Sequence, residues 1–396
     1  MLRTVIFRTL LFLVIVCSFP ETATAQLFKF PAPDTLSGNY FGGSVAIDGN
    51  IAIVGSTGYN SCGTNSGAAF IYVKAANNTW SLDHVLQPSD CQEDHFFGKT
   101  VAISGSRVLV TSFRSAFNQR VSNGAYVFEK QGDRWIQTAR FSDPDRGEYG
   151  TFASAIALDG KRFIVTAAGV GSGQKARGAG YIFEKGPDSL WTNTDRITAE
   201  SNRFNGVFGT SCDLDGNRIA ISSSSYTPGQ PGKISIFDYS ASDSKWSQTA
   251  SIDKVMAFFM PMDLDGDRLV VGESKAERDQ SGRVRLFEFD GKKWNLTATL
   301  KPQIPYSSGA FGSLVSIHEN TILVVGFDEQ LELNYNVDRV VYMFHKSDTE
   351  WRQRTILDIG SPFFGTSLSV SSTGALIGQS PENETGAVYA VPINQP

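Results

Sequence analysis

The stretch FGGSVAIDGNIAIVGS, residues 41–56, returns in altered form six more times along the 396-residue chain. It recurs as FGKTVAISGSRVLVTS from Phe97, FASAIALDGKRFIVTA from Phe152 and FGTSCDLDGNRIAISS from Phe208. Three further copies are FFMPMDLDGDRLVVGE from Phe258, FGSLVSIHENTILVVG from Phe311 and FGTSLSVSSTGALIGQ from Phe364. Successive copies begin 56, 55, 56, 50, 53 and 53 residues apart. A fixed period of this order marks supersecondary units that bury their faces against one another. Every tryptophan in the chain keeps the same step: Trp80, Trp135, Trp191, Trp246, Trp294 and Trp351.

Within each copy, two short apolar runs flank a tight turn, most often Asp-Gly (Asp48-Gly49, Asp159-Gly160, Asp215-Gly216, Asp265-Gly266). Asp-Gly between apolar runs reads as the central pair of a type I′ hairpin turn, which needs positive φ at both positions. A third run opens on glycine and ends on an aromatic, as in GAAFIY (67–72) and GAGYIF (178–183). A fourth begins at the tryptophan, as in WSLDHVLQP (80–88). Four strands repeated seven times predict an all-β fold, a seven-bladed β-propeller of antiparallel blades. The seventh copy ends after GAVYAVPI (386–393) with no fourth strand, while LFKFPAPD (27–34) precedes the first copy as an unclaimed one. The N-terminal strand is therefore expected to complete the last blade, because an open ring leaves unpaired backbone on two sheet edges.

Ahead of the repeats, Arg3 and Arg8 precede an apolar run from Leu10 to Phe19 and the small residues Ala23-Thr24-Ala25. This is the pattern of a secretory signal peptide cut after Ala25, leaving residues 26–396 as one propeller domain. The run is too short for a bilayer core of about 30 Å, so no membrane insertion is expected after cleavage. With 35 Lys and Arg against 40 Asp and Glu, and no basic cluster, the chain lacks the footprint of a nucleic-acid partner. Cys62 and Cys91 fall in two loops that a propeller opens on one face, so an exported chain is expected to bridge them, the alternative being two free thiols. Cys212 replaces a strand valine and reads as a small buried hydrophobe.

The phrases FGGSVAIDGNIAIVG and GAAFIYVK with the following tryptophan resemble FG-GAP repeats, the units of the integrin α-subunit propeller and of many exported microbial proteins. The resemblance implies a seven-bladed propeller used in extracellular recognition or adhesion. Two departures stand out. The second half of the motif is degenerate, reading VGST (54–57), VTSF (110–113) and VGES (271–274). The Asp-x-Asp-x-Asp-Gly calcium loop of several integrin blades is absent from every copy, so neither metal nor cofactor is expected. Asp215 and Asp265 in DLDGN and DLDGD are read as turn residues, since calcium needs six to eight converging oxygens.

The middle of the first strand runs Ala46, Ala102, Ala157, Asp213, Asp263, Ser316 and Ser369 through the seven copies. Small residues suit a crowded inner strand; Asp213 and Asp263 are carboxylates that need hydrogen-bond donors there. They are either locally capped acids or an axial site for a ligand or cation. No metal-binding histidine spacing, GxSxG elbow or phosphate loop occurs, so no catalytic residues are assigned. The loops between second and third strands are long and unalike, and the connections between blades open on the same face. They carry Phe113, Arg114, Phe117, Arg120, Tyr149, Arg203, Phe204, Tyr226 and Tyr335, aromatic and arginine types enriched in binding hot spots. Sequons at Asn77, Asn295 and Asn383 lie in or beside predicted loops and are candidate glycosylation sites. The reading that results is a secreted monomeric propeller that binds a glycan or protein ligand without catalysis. A carbohydrate-active lyase or hydrolase using the axial acids is the alternative.

Overall fold

A computed structural model describes residues 27–32, 39–113, 123–145, 151–169, 178–199, 206–225, 230–256, 260–274, 281–303, 310–328, 338–381 and 385–393. Seven four-stranded antiparallel sheets form a closed ring. Their innermost strands are Phe41–Asp48, Val101–Ser104, Thr151–Asp159, Gly206–Asp215, Met262–Asp265, Val315–His318 and Phe364–Ser371. Each packs against the innermost strand of the next blade, and the seventh packs against the first. Blades 1 to 6 are continuous in sequence. Blade 7 takes its fourth strand from the N-terminal segment: Phe28 pairs with Ala390 and Lys29 with Tyr389.

The core lies between blades, which explains why one blade could not fold alone. Leu109 and Val127 of blade 2 pack with Phe163, Tyr181 and Trp191 of blade 3. Phe30, Leu376 and Val388 of blade 7 pack with Phe41, Val54 and Phe70 of blade 1. The leading phenylalanines Phe41, Phe97, Phe208, Phe311 and Phe364 are fully enclosed in these seams. Phe258 is outside the described residues; in that blade Met260 is fully buried beside Gly232. The glycine that opens the third strand exists for this contact: at Gly67, where φ is +79°, a Cβ would sit 2.1 Å from the carbonyl oxygen of Phe97 in the next blade. Each tryptophan closes the seam toward the preceding blade, as Trp135 does against Ile53 and Ile71.

Charged side chains reinforce the same seams in two ways. Arg162 and Arg218 stack on Tyr239 and Phe289 of the following blade, 4.6 Å from each ring centre. Where the equivalent residue is lysine, it reaches back instead: Lys185 to Glu129 at 2.7 Å and Lys346 to Glu288 at 3.2 Å. The outer edges carry their own device. In blades 1 to 6 the pairing of third and fourth strands slips by one residue, at Asp83, Thr138, Thr194, Thr249, Thr297 and Arg354. A bulge bends an exposed edge away from pairing with another sheet.

The hairpin turns differ from the type I′ reading. Asp48 pairs with Ile51, so the two-residue loop is Gly49-Asn50, and positive φ falls on Gly49 alone. The same holds at Gly105, Gly160, Gly216 and Gly266, the pattern of a type II′ turn with glycine at its first central position. Asp48, Asp159, Asp215 and Asp265 are therefore the last residues of their strands, with side chains free to act elsewhere.

Candidate functional site

Those freed side chains build a belt around the turn face. Asp48 accepts the Gly105 N–H of blade 2 at 2.6 Å, and Ser104 accepts the Gly160 N–H of blade 3 at 2.9 Å. Asp159 accepts from Gly216 at 2.8 Å, Asp215 from Gly266, and Asp265 from Glu319 at 2.9 Å. Each bond satisfies a turn amide that its own hairpin leaves unpaired. Asp215 and Asp265 are thus blade-to-blade links, and the described residues contain no cluster of three or more metal-ligating side chains.

One layer further in, the axial acids do similar work. Asp213 accepts the Leu264 N–H of blade 5 at 2.6 Å and its neighbour Leu214 N–H at 2.8 Å. Asp263 accepts the Ser316 hydroxyl at 2.8 Å and the Ile317 N–H at 2.7 Å, both from blade 6. Ser369 closes the series by accepting the Ile47 N–H of blade 1 at 3.2 Å. The two carboxyl groups also share a hydrogen bond with each other. By surface area each is half-buried, but protein from neighbouring blades surrounds it. Burial, the negative charge of Asp263 and the shared hydrogen bond push the Asp213 carboxyl well above the ordinary carboxylate range. Burial also raises Asp263, opposed by the bond from Asp213 and those from Ile317 and Ser316. The pair therefore holds a proton at pH values where an ordinary carboxylate has lost it.

A pH dependence follows. The folded pKa of Asp213 lies above its unfolded value, so its contribution is complete below the ordinary carboxylate range. It is lost as pH rises toward the raised folded value, at about 1.4 kcal/mol per pH unit within that window. Asp213→Asn keeps an acceptor for backbone N–H and a donor toward Asp263 without the ionisation. It is expected to melt above wild type at pH 8 and to converge with it near pH 3, in thermal melts across that range. Asp213→Ala, which strands the Leu264 N–H, is expected to melt below wild type throughout. An Asn variant less stable than wild type at pH 8 contradicts this assignment.

The opposite face carries the long loops, and their roots are tethered. Cys62, between the second and third strands of blade 1, is disulfide-bonded to Cys91 in the connection to blade 2, with Cα atoms 5.9 Å apart. Bridging residues 29 apart in sequence removes loop entropy worth roughly 3–4 kcal/mol. In the same connection Asp90 lies 2.9 Å from the Arg140 guanidinium and 3.4 Å from the Tyr126 hydroxyl, which His95 meets at 3.0 Å. Blade 3 repeats the arrangement: Tyr181 donates to Asp145 at 2.6 Å and Arg196 pairs with it at 2.9 Å. Burial, with the carboxylates of Asp143 and Asp145, drives the Tyr181 hydroxyl far above its usual pKa, so it remains a donor. Cys212 is a free thiol packed among Ile164, Ile182 and Leu214, and burial raises its pKa.

Blade 5 roots its loop differently. Glu273 ends the second strand (Arg268–Glu273) at a position held by Ser56, Ser112, Ala167 and Ser223 in other blades. It is completely buried. Its carboxylate pairs with Arg283, meets Arg285 at 2.7 Å and accepts the Met256 N–H at 2.8 Å from the connection between blades 4 and 5. The repeat column could have exposed it, since one acid stands among small residues.

Of the sequence candidates for this face, Phe113 follows the second strand of blade 2 directly and is 39% exposed. Arg114, Phe117, Arg120, Tyr149, Arg203, Phe204, Tyr226 and Tyr335 lie outside the described residues, as does Asn383. Asn77 sits in the turn before Trp80, its side-chain oxygen accepting from the Thr79 hydroxyl at 2.7 Å. Asn295 lies within the strand Trp294–Leu300 and donates to Asp290 at 2.8 Å.

A family model of the FG-GAP repeat matches residues 25–72 and 80–128, the first two blades. No curated protein matches the chain in sequence. Among solved structures, a putative 6-phosphogluconolactonase from Bacteroides uniformis is 14% identical, with 80% of this chain and 86% of that one covered and a TM-score of 0.49. Likeness at that level carries no argument about activity. The chain is a seven-bladed β-propeller whose first two blades are similar to the FG-GAP repeat.

Proposed function

We propose that the protein is an exported, non-catalytic recognition propeller that binds a glycan or protein ligand through its long-loop face. One contrast carries the reading. On the turn face, two-residue loops between first and second strands are bonded to one another through blades 1 to 6, whereas the other face supports long, dissimilar loops on tethered roots. Rigid roots under variable loops keep a binding surface preorganised and lower the entropy cost of association. The Cys62–Cys91 bridge suits an oxidising compartment, and among the described residues no helix is long and apolar enough to cross a membrane. The bonds from Leu264, Ser316 and Ile317 favour a role for Asp213 and Asp263 in holding blades together rather than in general acid–base work.

The test combines a glycan array, a matrix-protein binding panel and a polysaccharide turnover panel on residues 26–396. Saturable binding is expected, and Arg114→Ala with Phe117→Ala should weaken it at least tenfold, on the order of two hot-spot contacts, without changing the melt. Turnover that yields products and is abolished by Asp213→Asn would replace this reading with the enzymatic one.

A further inference from the structure

One guanidinium on the long-loop face of blade 6 stands without an acid among the described residues. Arg339 pairs with Phe327 across the second and third strands, one residue outside the Gly326–Val340 pair. In the equivalent register five other blades hold glycine: Gly67, Gly178, Gly232, Gly282 and Gly386. Arginine there gives up the close approach that Gly67 makes to the next blade. In exchange it places a large cation at the top of the seam between blades 6 and 7.

The surroundings of Arg339 set it apart. Elsewhere the half-buried arginines are neutralised: Arg107 by Glu129, Arg162 by Glu184, Arg218 by Asp238, Arg268 by Asp265 and Arg285 by Glu273. Arg339 is half-buried too, yet its guanidinium contacts the Phe327 ring, 5.8 Å from the centre, and no carboxylate among the described residues. Burial lowers its pKa, with no acid opposing the shift. A desolvated charge without a partner costs stability, so a cation held in that state reads as reserved for a ligand. Beside it, Ser361 accepts the Arg339 N–H on its carbonyl at 3.2 Å and the Phe363 N–H on its hydroxyl at 3.3 Å. The Phe363 side chain is 40% exposed.

We infer that Arg339 and Phe363 form a subsite for a carboxylate-bearing saccharide, a uronate unit of an acidic polysaccharide. The inference rests on the long-loop face being the ligand face, and it names the ligand class. A guanidinium lying against an aromatic ring keeps its N–H edge for a planar carboxylate, which it can hold with two parallel hydrogen bonds. The exposed phenyl ring of Phe363, two residues on from Ser361, offers a flat apolar surface to the C–H face of a pyranose. Half-burial strengthens the ion pair over one in open solvent.

Polygalacturonate, alginate and hyaluronan, each with its carboxyl-reduced form, are titrated by calorimetry into wild type, Arg339→Gln, Arg339→Lys and Phe363→Ala. Wild type is expected to bind at least one uronate polymer and not its reduced form. Arg339→Gln should weaken that binding about tenfold or more, as loss of a charge-assisted pair does, and Arg339→Lys should restore part of it. Its melting temperature should equal or exceed that of wild type, whereas a structural guanidinium would leave the variant less stable. Equal binding of native and reduced polymers, lost on Arg114→Ala with Phe117→Ala, overturns the uronate subsite and leaves the ligand face standing. Uronate binding that Arg339→Gln leaves intact, or a preference for poly-glutamate over all three polymers, also overturns it. No binding of any polysaccharide or matrix protein overturns both readings.

Discussion

Removing residues 27–32 is expected to lower the unfolding free energy by more than about 5 kcal/mol, a large part of what a domain has. Phe30 is 2% exposed, and its ring lies 4.8 Å from Tyr72 and 5.1 Å from Trp80 of blade 1. Emptying such a site costs about 3–5 kcal/mol by itself. The segment also supplies the Phe30 N–H to the Val388 carbonyl at 2.8 Å, and the Pro31 carbonyl that accepts the Tyr72 hydroxyl at 2.8 Å. Losing it exposes the strand Ala387–Val391 as an open edge. Denaturant melts of chains starting at residues 26 and 33 check the prediction, with Phe30→Ala alone expected to reproduce more than half of the loss. Coincident melts for the two chains would mean that blade 7 closes the ring with three strands.

Glu273→Ala is expected to cost about 3–5 kcal/mol, because it leaves Arg283 and Arg285 side by side around an empty anionic position. It also strands the Met256 N–H. Glu273→Gln keeps the shape and that bond, and should be the milder change. Replacing all three residues with methionine removes the charges together and should recover most of the stability, as a double-mutant analysis by chemical denaturation would register. A triple variant no better than Glu273→Ala would show that the cost is one of packing.

The number of blades and their closure were legible because two landmarks, the leading phenylalanine and the tryptophan, repeat in step, and the seventh copy keeps the first but lacks the second. Turn type was not. Asp-Gly is the usual signal of one hairpin, but pairing Asp48 with Ile51 moves the aspartate out of the loop. Its partner is then an amide about 57 positions away, and no local pattern records that. Asp213 and Asp263 could be found by comparing one column across seven copies, yet their shared proton depends on a spacing between blades that letters do not carry. Glu273 and Arg339 break the same kind of column, but their significance rests on burial and on missing or doubled partners, which letters do not show. Most of the loop residues proposed for ligand contact lie beyond the described segments; the roots that hold them could be seen only in three dimensions.

The belt on the turn face has a direction. At each of its described links a side chain of one blade receives an amide from the blade that follows, never the reverse. Among the described residues these links run from blade 1 to blade 6, and blades 2 to 5 each both give and receive, so none of them depends on where the termini lie. Moving the break should therefore be tolerated. A circular permutant with the native ends joined and new ends opened within residues 170–177 would keep every link of the belt, while excising one whole blade would pair an aspartate with the wrong neighbour's turn.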